Sequence, residues 1–481
     1  MEIAVIGGGI SGLSTCYYLE KLSKESGIEI HVSLLESGNR LGGKVLTRTE
    51  NGLIIDAGPD SFFTQKPWAL ELCSDLGLSG DLTEANAATK GTFILNSGKL
   101  SRLPEGTESG MPTKLRPFVS TDLISFGGKF RALMDLVIPR KSGQEDESIG
   151  SFMGRRFGKE FLVKIVEPLY AGIYAGDVNH LSVRSSLQSL VALESEHGSL
   201  IRAMSRMKKK SGSGGSTGNR NSRRITFVSL KGGMEQLTDS IQKNLKSTKI
   251  LLDTTVQGII ESKRAAARKF RISLVDGEHM DADAVVLSVP AYAASSILIG
   301  MDSRISTILD TIPYVSTAVV SVAYRKTDIE SATGVKGHGF LVPRTEDEIV
   351  TGCTWESLKW PIHAPGDTLL ARCYVGWFGH EEFRKMDDAS LTKSVLDFLG
   401  RTAGISARPK FTKVFRWENA LPQYTVGHID RMSQINKLLL DHPGLYFTGS
   451  AYHGVGLPDC IHDAYLTAKE IMDYRLSEMR K

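Results

Sequence analysis

Near the N-terminus, three glycines, an acid and two cations are spaced for binding a phosphate-bearing ligand. The chain opens MEIAVIGGGISGLSTCYYLE, so Gly7, Gly9 and Gly12 satisfy G-x-G-x-x-G between an apolar strand and a segment of helical periodicity. In that setting Gly7 permits the tight turn and Gly9 lets backbone approach a pyrophosphate. Gly12 lets the helix pack closely on the strand. Gly8, Ile10 and Ser11 complete the turn, with the helix N-terminal amides toward the phosphates. A second apolar run, EIHVSLLE, ends in Glu36, placed to accept hydrogen bonds from adenosine ribose hydroxyls. An acid there disfavours a 2′-phosphate, which argues against NADP.

Just beyond, Glu36-Ser37-Gly38-Asn39-Arg40-Leu41-Gly42-Gly43-Lys44 sets two more glycines and two cations beside the first site. FAD is longer than one strand–helix unit can cover. A second glycine turn lets backbone lie along its diphosphate and ribityl chain, with Arg40 and Lys44 as positive charge. This E-x-x-x-R-x-G-G-K pattern resembles that of the flavin monoamine-oxidase and protoporphyrinogen-oxidase superfamily. At the far end, LYFTGSAYHGVGLPDCIHDAYLTAKEIM reads as strand, glycine turn and helix. The resemblance implies that this helix points its N-terminus at the flavin pyrimidine, where its positive end stabilises the reduced, anionic ring. Val455, Gly456 and Leu457 would then lie against the ring, and Val256 beside the adenine. Ser450 departs from the pattern, since many relatives carry an acid or Asn there.

A closer resemblance rests on IIDAGPDSFFTQKPWALELCSDLGL, MPTKLRPFVSTDLIS, EPLYAGIYAGDVNHLS, CTWESLKWP and RWENALPQYTVGHIDR. These stretches are similar to the bacterial oxygen-dependent coproporphyrinogen/protoporphyrinogen oxidases, over nearly the whole chain. The resemblance implies one non-covalent FAD per chain and oxidation of coproporphyrinogen III by six electrons in haem biosynthesis. Three flavin turnovers would each reduce one oxygen to hydrogen peroxide. Protoporphyrinogen IX is the alternative substrate. Gly58, Pro59, Asp60 and Ser61 would line the flavin, and Trp417 would pack beside it or serve the core. Lys66 matches a lysine that meets a substrate propionate; a solvated surface lysine is the other reading. Gly172 and Ile173 would shape the cavity against the macrocycle. Mitochondrial relatives place an arginine where Thr92 stands, with Lys90 nearby, and that difference leans toward the four-carboxylate substrate.

The elements that must position these residues read as a mixed α/β fold. A Rossmann-like FAD-binding domain of the glutathione-reductase type is expected from 1–55, 225–290 and 435–481. A sheet substrate domain is expected from 56–90 and 291–434, and a helical subdomain over 91–219. The Gly/Ser tract SGSGGSTG, flanked by Arg206, Lys208, Lys209, Lys210, Arg220, Arg223 and Arg224, reads as a flexible basic loop over 206–224. TDLISFGGKFRALMDLVIPRK pairs an apolar face with cations, which suits either a core-facing or an interfacial helix.

Composition bounds the function. With 58 Lys+Arg against 54 Asp+Glu, the net charge of +4 is small for 481 residues, and no nucleic-acid partner is expected. The five cysteines are odd in number and lack metal-ligand spacing, which fits free thiols in a reducing compartment and no metal. No signal peptide is expected, because the glycine motif starts almost at Met1. The uncharged run 284–301 is broken by Pro290, so no transmembrane helix is expected. The protein therefore reads as cytoplasmic, with porphyrinogen and oxygen as partners. Peripheral contact with the inner face of the cell membrane and transfer of product to a ferrochelatase stay open. No second G-x-G-x-x-G follows a strand, which leaves the substrate as hydride donor and oxygen as electron sink. A flavin amine oxidase, a carotenoid desaturase and a non-catalytic FAD-fold escort are the rival readings.

Overall fold

The computed structural model describes residues 1–481 apart from Lys90, Ser109, Ser142, Gln144, 214–226, 263–268, Pro365 and 480–481. It divides into two units. The first comprises Met1–Glu84, Arg223–Pro313 and Ile429–Lys481. At its centre is a parallel five-stranded sheet in the order Lys249–Leu251, His31–Leu35, Glu2–Ile6, Ala284–Leu287, Leu445–Phe447. Such strands are buried on both faces, so they read as apolar runs without alternation. Ala284, Val285, Val286 and Leu287 are all fully buried. Strand order reverses at Glu2–Ile6, flanked by His31–Leu35 on one side and Ala284–Leu287 on the other. The crevice outside the carboxyl ends of such strands is where a nucleotide binds.

Two helices frame that crevice. Ile10–Ser26 ends at Gly27, which takes the left-handed conformation a helix stop requires (φ 69°). The C-terminal helix Leu457–Met479 packs against it. Leu13, Cys16, Val5, Leu34, Val286, Ile461 and Ala468 share one core. The apolar run 284–301 splits into a strand and the short helix Ala291–Leu298, with Pro290 at the joint. No helix of the described residues is long and apolar enough to cross a membrane.

The second unit comprises Ala85–Ser222 and Tyr314–His428. Its sheet runs Phe411–Pro422, Tyr314–Arg325, Thr368–Val375, Val350–Trp355, Gly339–Leu341, Thr92–Asn96, Lys99–Arg102. All neighbours are antiparallel except Gly339–Leu341 with Thr92–Asn96. Helix Asp388–Ala403 buries Leu391, Val395, Phe398 and Leu399 in the core of this sheet. A second core of the same unit gathers the helical stretch, from Phe118 to Leu200, around Phe152, Phe157 and Phe161.

This division differs from the expected one in two respects. The stretch 91–219 is not a body of its own, because the hairpin Thr92–Arg102 supplies the last two strands of the sheet. Residues 56–84, 291–313 and 429–434 pack with the parallel sheet instead of with a substrate domain. The loop expected over 206–224 also starts later. Helix Leu200–Ser213 runs through Arg206 and into the SGS of the Gly/Ser tract. Asp135 anchors that helix, its carboxylate accepting from Ser199 Oγ (2.6 Å) and the Ile201 N–H (2.9 Å). Residues 214–224 of the expected loop lie outside the described residues.

Candidate functional site

The first glycine turn is built as its sequence requires. Gly7 has φ 105° and donates its N–H to the Leu35 carbonyl at 2.8 Å, closing the end of the strand. Ser288 Oγ donates to the carbonyls of Ile6 and Gly7, each at 2.8 Å. A Cβ on Gly12 would lie 1.9 Å from the Gly7 carbonyl oxygen, so the helix can start this close only with glycine. At Gly9 a Cβ would meet nothing within 4 Å. The backbone there faces open space, the side from which a diphosphate can approach. Ile10 begins the helix, and Ser11 is buried in its first turn.

Glu36 joins this turn to the next. Its Oε2 accepts the Gly8 N–H at 2.7 Å and its Oε1 the Gly38 N–H at 2.8 Å. Ser37 Oγ donates to the same carboxylate at 3.3 Å. The second turn lies directly on the first: the Gly42 N–H donates to the Gly8 carbonyl at 2.8 Å, and Gly9 and Gly42 form a parallel bridge. Gly42 and Gly43 both have positive φ, 96° and 57°. The Glu36 carbonyl accepts from the Thr254 N–H at 2.9 Å, which brings the strand starting at Val256, itself buried, beside Glu36.

The two cations divide their roles. The Arg40 guanidinium donates to the carbonyls of Leu41, Gly43 and Val45 and pairs with Glu235 at 3.6 Å. It therefore braces the second glycine turn. Lys44 makes no ion pair among the described residues, and burial pulls its ammonium below the ordinary lysine range. A desolvated cation without a counter-charge suits an anionic ligand.

Two further segments of this unit carry candidate cofactor residues. After strand Leu53–Asp56, the Asp60 carbonyl accepts from Ser229 Oγ and its carboxylate from Ser61 Oγ, both at 2.7 Å, fixing the turn Gly58–Ser61. Near the C-terminus, Val455 and Gly456 precede the helix that begins at Leu457. Asp463, one turn into that helix and buried, accepts from Thr448 Oγ1 (2.8 Å) and the Gly449 N–H (3.0 Å). Its other oxygen meets His453 Nδ1 at 2.9 Å, and that hydrogen bond raises the His453 pKa.

A profile of flavin containing amine oxidoreductases matches residues 10–472. The chain belongs to the flavin-containing amine oxidoreductases. The chain is 36% identical to the coproporphyrinogen III oxidase of Bacillus subtilis (strain 168), over 99% of each chain. It is 28% identical to the chloroplastic protoporphyrinogen oxidase 1 of Arabidopsis thaliana, over 98% of this chain and 88% of that one. A solved structure from Exiguobacterium sp. 255-15, described provisionally as a protoporphyrinogen oxidase, matches with TM-score 0.83 and 32% identity over 98% of each chain. The cofactor is FAD. The open face at Gly9, the doubled glycine turn and the unpaired Lys44 all fit a long, dianionic dinucleotide.

The residues expected at the substrate, and Trp417 expected beside the flavin, are placed as follows. Lys66 does not stand as a free cation: its Nζ donates to Asp459 Oδ1 at 2.5 Å. In the second unit, helix Glu167–Tyr174 carries Gly172 and Ile173, and Ile173 is 58% exposed for all its apolar bulk. Trp417 lies within strand Phe411–Pro422, opposite Thr317 and partly buried. Thr92 opens its strand; Lys90 lies outside the described residues.

Several residues that hold these groups were not singled out from sequence. Arg344 grips both ends of the Gly172 helix: it pairs with Glu167 at 3.3 Å and Asp177 at 2.9 Å, and donates to the Gly176 carbonyl at 2.8 Å. Its guanidinium lies 3.6 Å from the Trp377 ring centroid, and burial lowers its pKa. Gln423, expected from sequence to brace the turn after strand Phe411–Pro422, donates its Nε2 N–H to the Tyr174 carbonyl at 2.9 Å and fixes the helix end. Nothing local marks Arg344. Asp459 and Asp463 carry a weak signal, two acids four residues apart at a helix start.

Proposed function

We propose that this flavoprotein oxidises coproporphyrinogen III to coproporphyrin III with molecular oxygen, a step of haem biosynthesis. Full-length likeness to the Bacillus subtilis oxidase is the observation that carries the reading. The porphyrinogen loses six electrons and six hydrogens, and three oxygen molecules become three hydrogen peroxide. When bound, FAD would supply the two-electron redox chemistry between substrate and oxygen. The chain's residues then bind and orient. The turns at Gly7–Gly12 and Gly42–Lys44, with Glu36, Ser37 and Val256, hold the nucleotide; Gly58–Ser61, Trp417 and Val455–Leu457 serve the flavin end. Lys66 faces a substrate carboxylate, and Gly172 with Ile173 shapes the cavity for a flat macrocycle. One FAD per chain is held without a covalent bond. Burial raises the Cys460 thiol, near the flavin end, to about 12, so it is no nucleophile.

Likeness to the Exiguobacterium structure supports a second substrate, protoporphyrinogen IX. We place the protein in the cytoplasm, peripheral to the membrane's inner face. Helix Phe126–Leu133 and the turn after it leave Phe126, Phe130 and Val137 exposed, at 88%, 66% and 76%. With Lys129 in the same helix, that set suits an anionic lipid surface. The free-base porphyrin would next pass to a ferrochelatase.

A single assay tests the activity. Purified, FAD-loaded protein should release peroxide with coproporphyrinogen III and none with putrescine or benzylamine. Peroxide from the amines alone would favour an amine oxidase instead.

A further inference from the structure

The Lys66–Asp459 pair has a consequence for binding that follows from where Asp459 sits. Asp459 lies in the first turn of the 23-residue helix Leu457–Met479, where the helix dipole favours a carboxylate. Its side chain fills the space beside the preceding turn: a Cβ on Gly454 would lie 2.5 Å from Asp459 Cβ, and one on Gly456 would lie 3.0 Å from Oδ2. The carboxylate is therefore fixed, and only 17% of the side chain is accessible, against 49% for Lys66. One helical turn on, His462 stacks on Trp68 at 3.8 Å with an interplanar angle of 9°. That stack pins the backbone two residues from Lys66, which leaves the flexible lysine stem as the moving part.

We infer that Asp459 is a resident carboxylate on Lys66, and that it sets how tightly the site takes an anionic porphyrin. This rests on the proposed reading of Lys66 as the residue that meets a substrate carboxylate. An incoming carboxylate exchanges for Asp459 at the ammonium, or shares it. Lys66 is paired before and after, so the net gain is small. Asp459 keeps the helix N-terminus as compensation when Lys66 leaves. Binding a polyanion is thereby held weak enough for the product to depart. Asp459 acts through Lys66 and is a positioning residue.

The test measures binding of coproporphyrin III and of its tetramethyl ester to the FAD-loaded protein, by porphyrin fluorescence at two salt concentrations. Asp459→Asn should tighten the acid about three- to tenfold, leave the ester within about twofold, and steepen the salt dependence. Lys66→Met should abolish that gain, so the double variant should bind as Lys66→Met does. Asp459→Ser keeps an oxygen for the helix start, and is used in its place if Asp459→Asn loses FAD. Unchanged or weaker acid binding, or equal shifts for acid and ester, would overturn the inference. Turnover of coproporphyrinogen by the unmodified protein is measured alongside. Its absence removes the activity and this inference together; its presence with a null Asp459→Asn result removes the inference alone.

Discussion

Glu36 and Gly8 are joined by a 2.7 Å hydrogen bond from the glycine N–H to carboxylate Oε2, across the ends of two parallel strands. The acid expected to hold a ribose thus also holds the first glycine turn. A carboxylate has room for about four hydrogen bonds, so both duties fit on one side chain.

Removing that side chain should cost both functions. Glu36→Ala should weaken FAD binding by about 1.5–3 kcal/mol, roughly ten- to a hundredfold, while Glu36→Gln, which keeps one acceptor oxygen, should fall between. Quenching of flavin fluorescence on titration gives the dissociation constants. Equal constants in Glu36→Ala and parent would remove Glu36 from the site.

The five cysteines are all buried. Burial raises Cys73 to about 12, and raises Cys16 and Cys353 as well. The folded protein should therefore be inert to a thiol reagent at neutral pH and resist the peroxide released in the proposed reaction, with all five thiols reacting after denaturation. Acid precipitation should leave all yellow colour in the supernatant. A rapidly labelled cysteine in the native state, or flavin in the pellet, would contradict this.

His442 links two acids of the first unit, Glu261 at 3.1 Å and Asp302 at 3.0 Å. Burial alone would lower its pKa, but the hydrogen bonds to Asp302 and Glu261 outweigh it and raise the value. Asp302 is lowered, first by its hydrogen bond to Arg304 and then by His442. The signs oppose. Stability from His442 is fully present below the unfolded histidine pKa and is lost as pH rises through the folded one. Stability from Asp302 is present above the unfolded carboxylate pKa and is lost on acidification. Both are present between roughly pH 4 and 6.5. Thermal denaturation should show His442→Gln losing most stability in that window and progressively less as pH rises above it. A loss independent of pH would mean that His442 acts only by packing.

The two glycine turns were legible because their demands are local. Gly7, Gly12 and Gly42 answer to positive φ or to a backbone approach that any Cβ would block, and such needs show in a few consecutive residues. Lys66 was singled out from sequence, but its partner was not: Asp459 lies 393 positions away, and no spacing rule connects them. Arg344 escaped for the same reason, since the strands and turns that bring it to Glu167 and Asp177 are set by the sheet. The basic tract misled at its start, where the glycines and serines read as a loop. Leu200 and Ala203, buried on one face, and the Asp135 anchor carry the helix on to Ser213.

The most direct measurement is a comparison of substrates. Coproporphyrinogen III and protoporphyrinogen IX are offered to the purified protein at matched concentration in air, with porphyrin fluorescence and peroxide recorded together. Three peroxides per coproporphyrin are expected, with a kcat/KM higher for coproporphyrinogen than for protoporphyrinogen. Porphyrin formation no faster than autoxidation, or a preference for protoporphyrinogen, would contradict this.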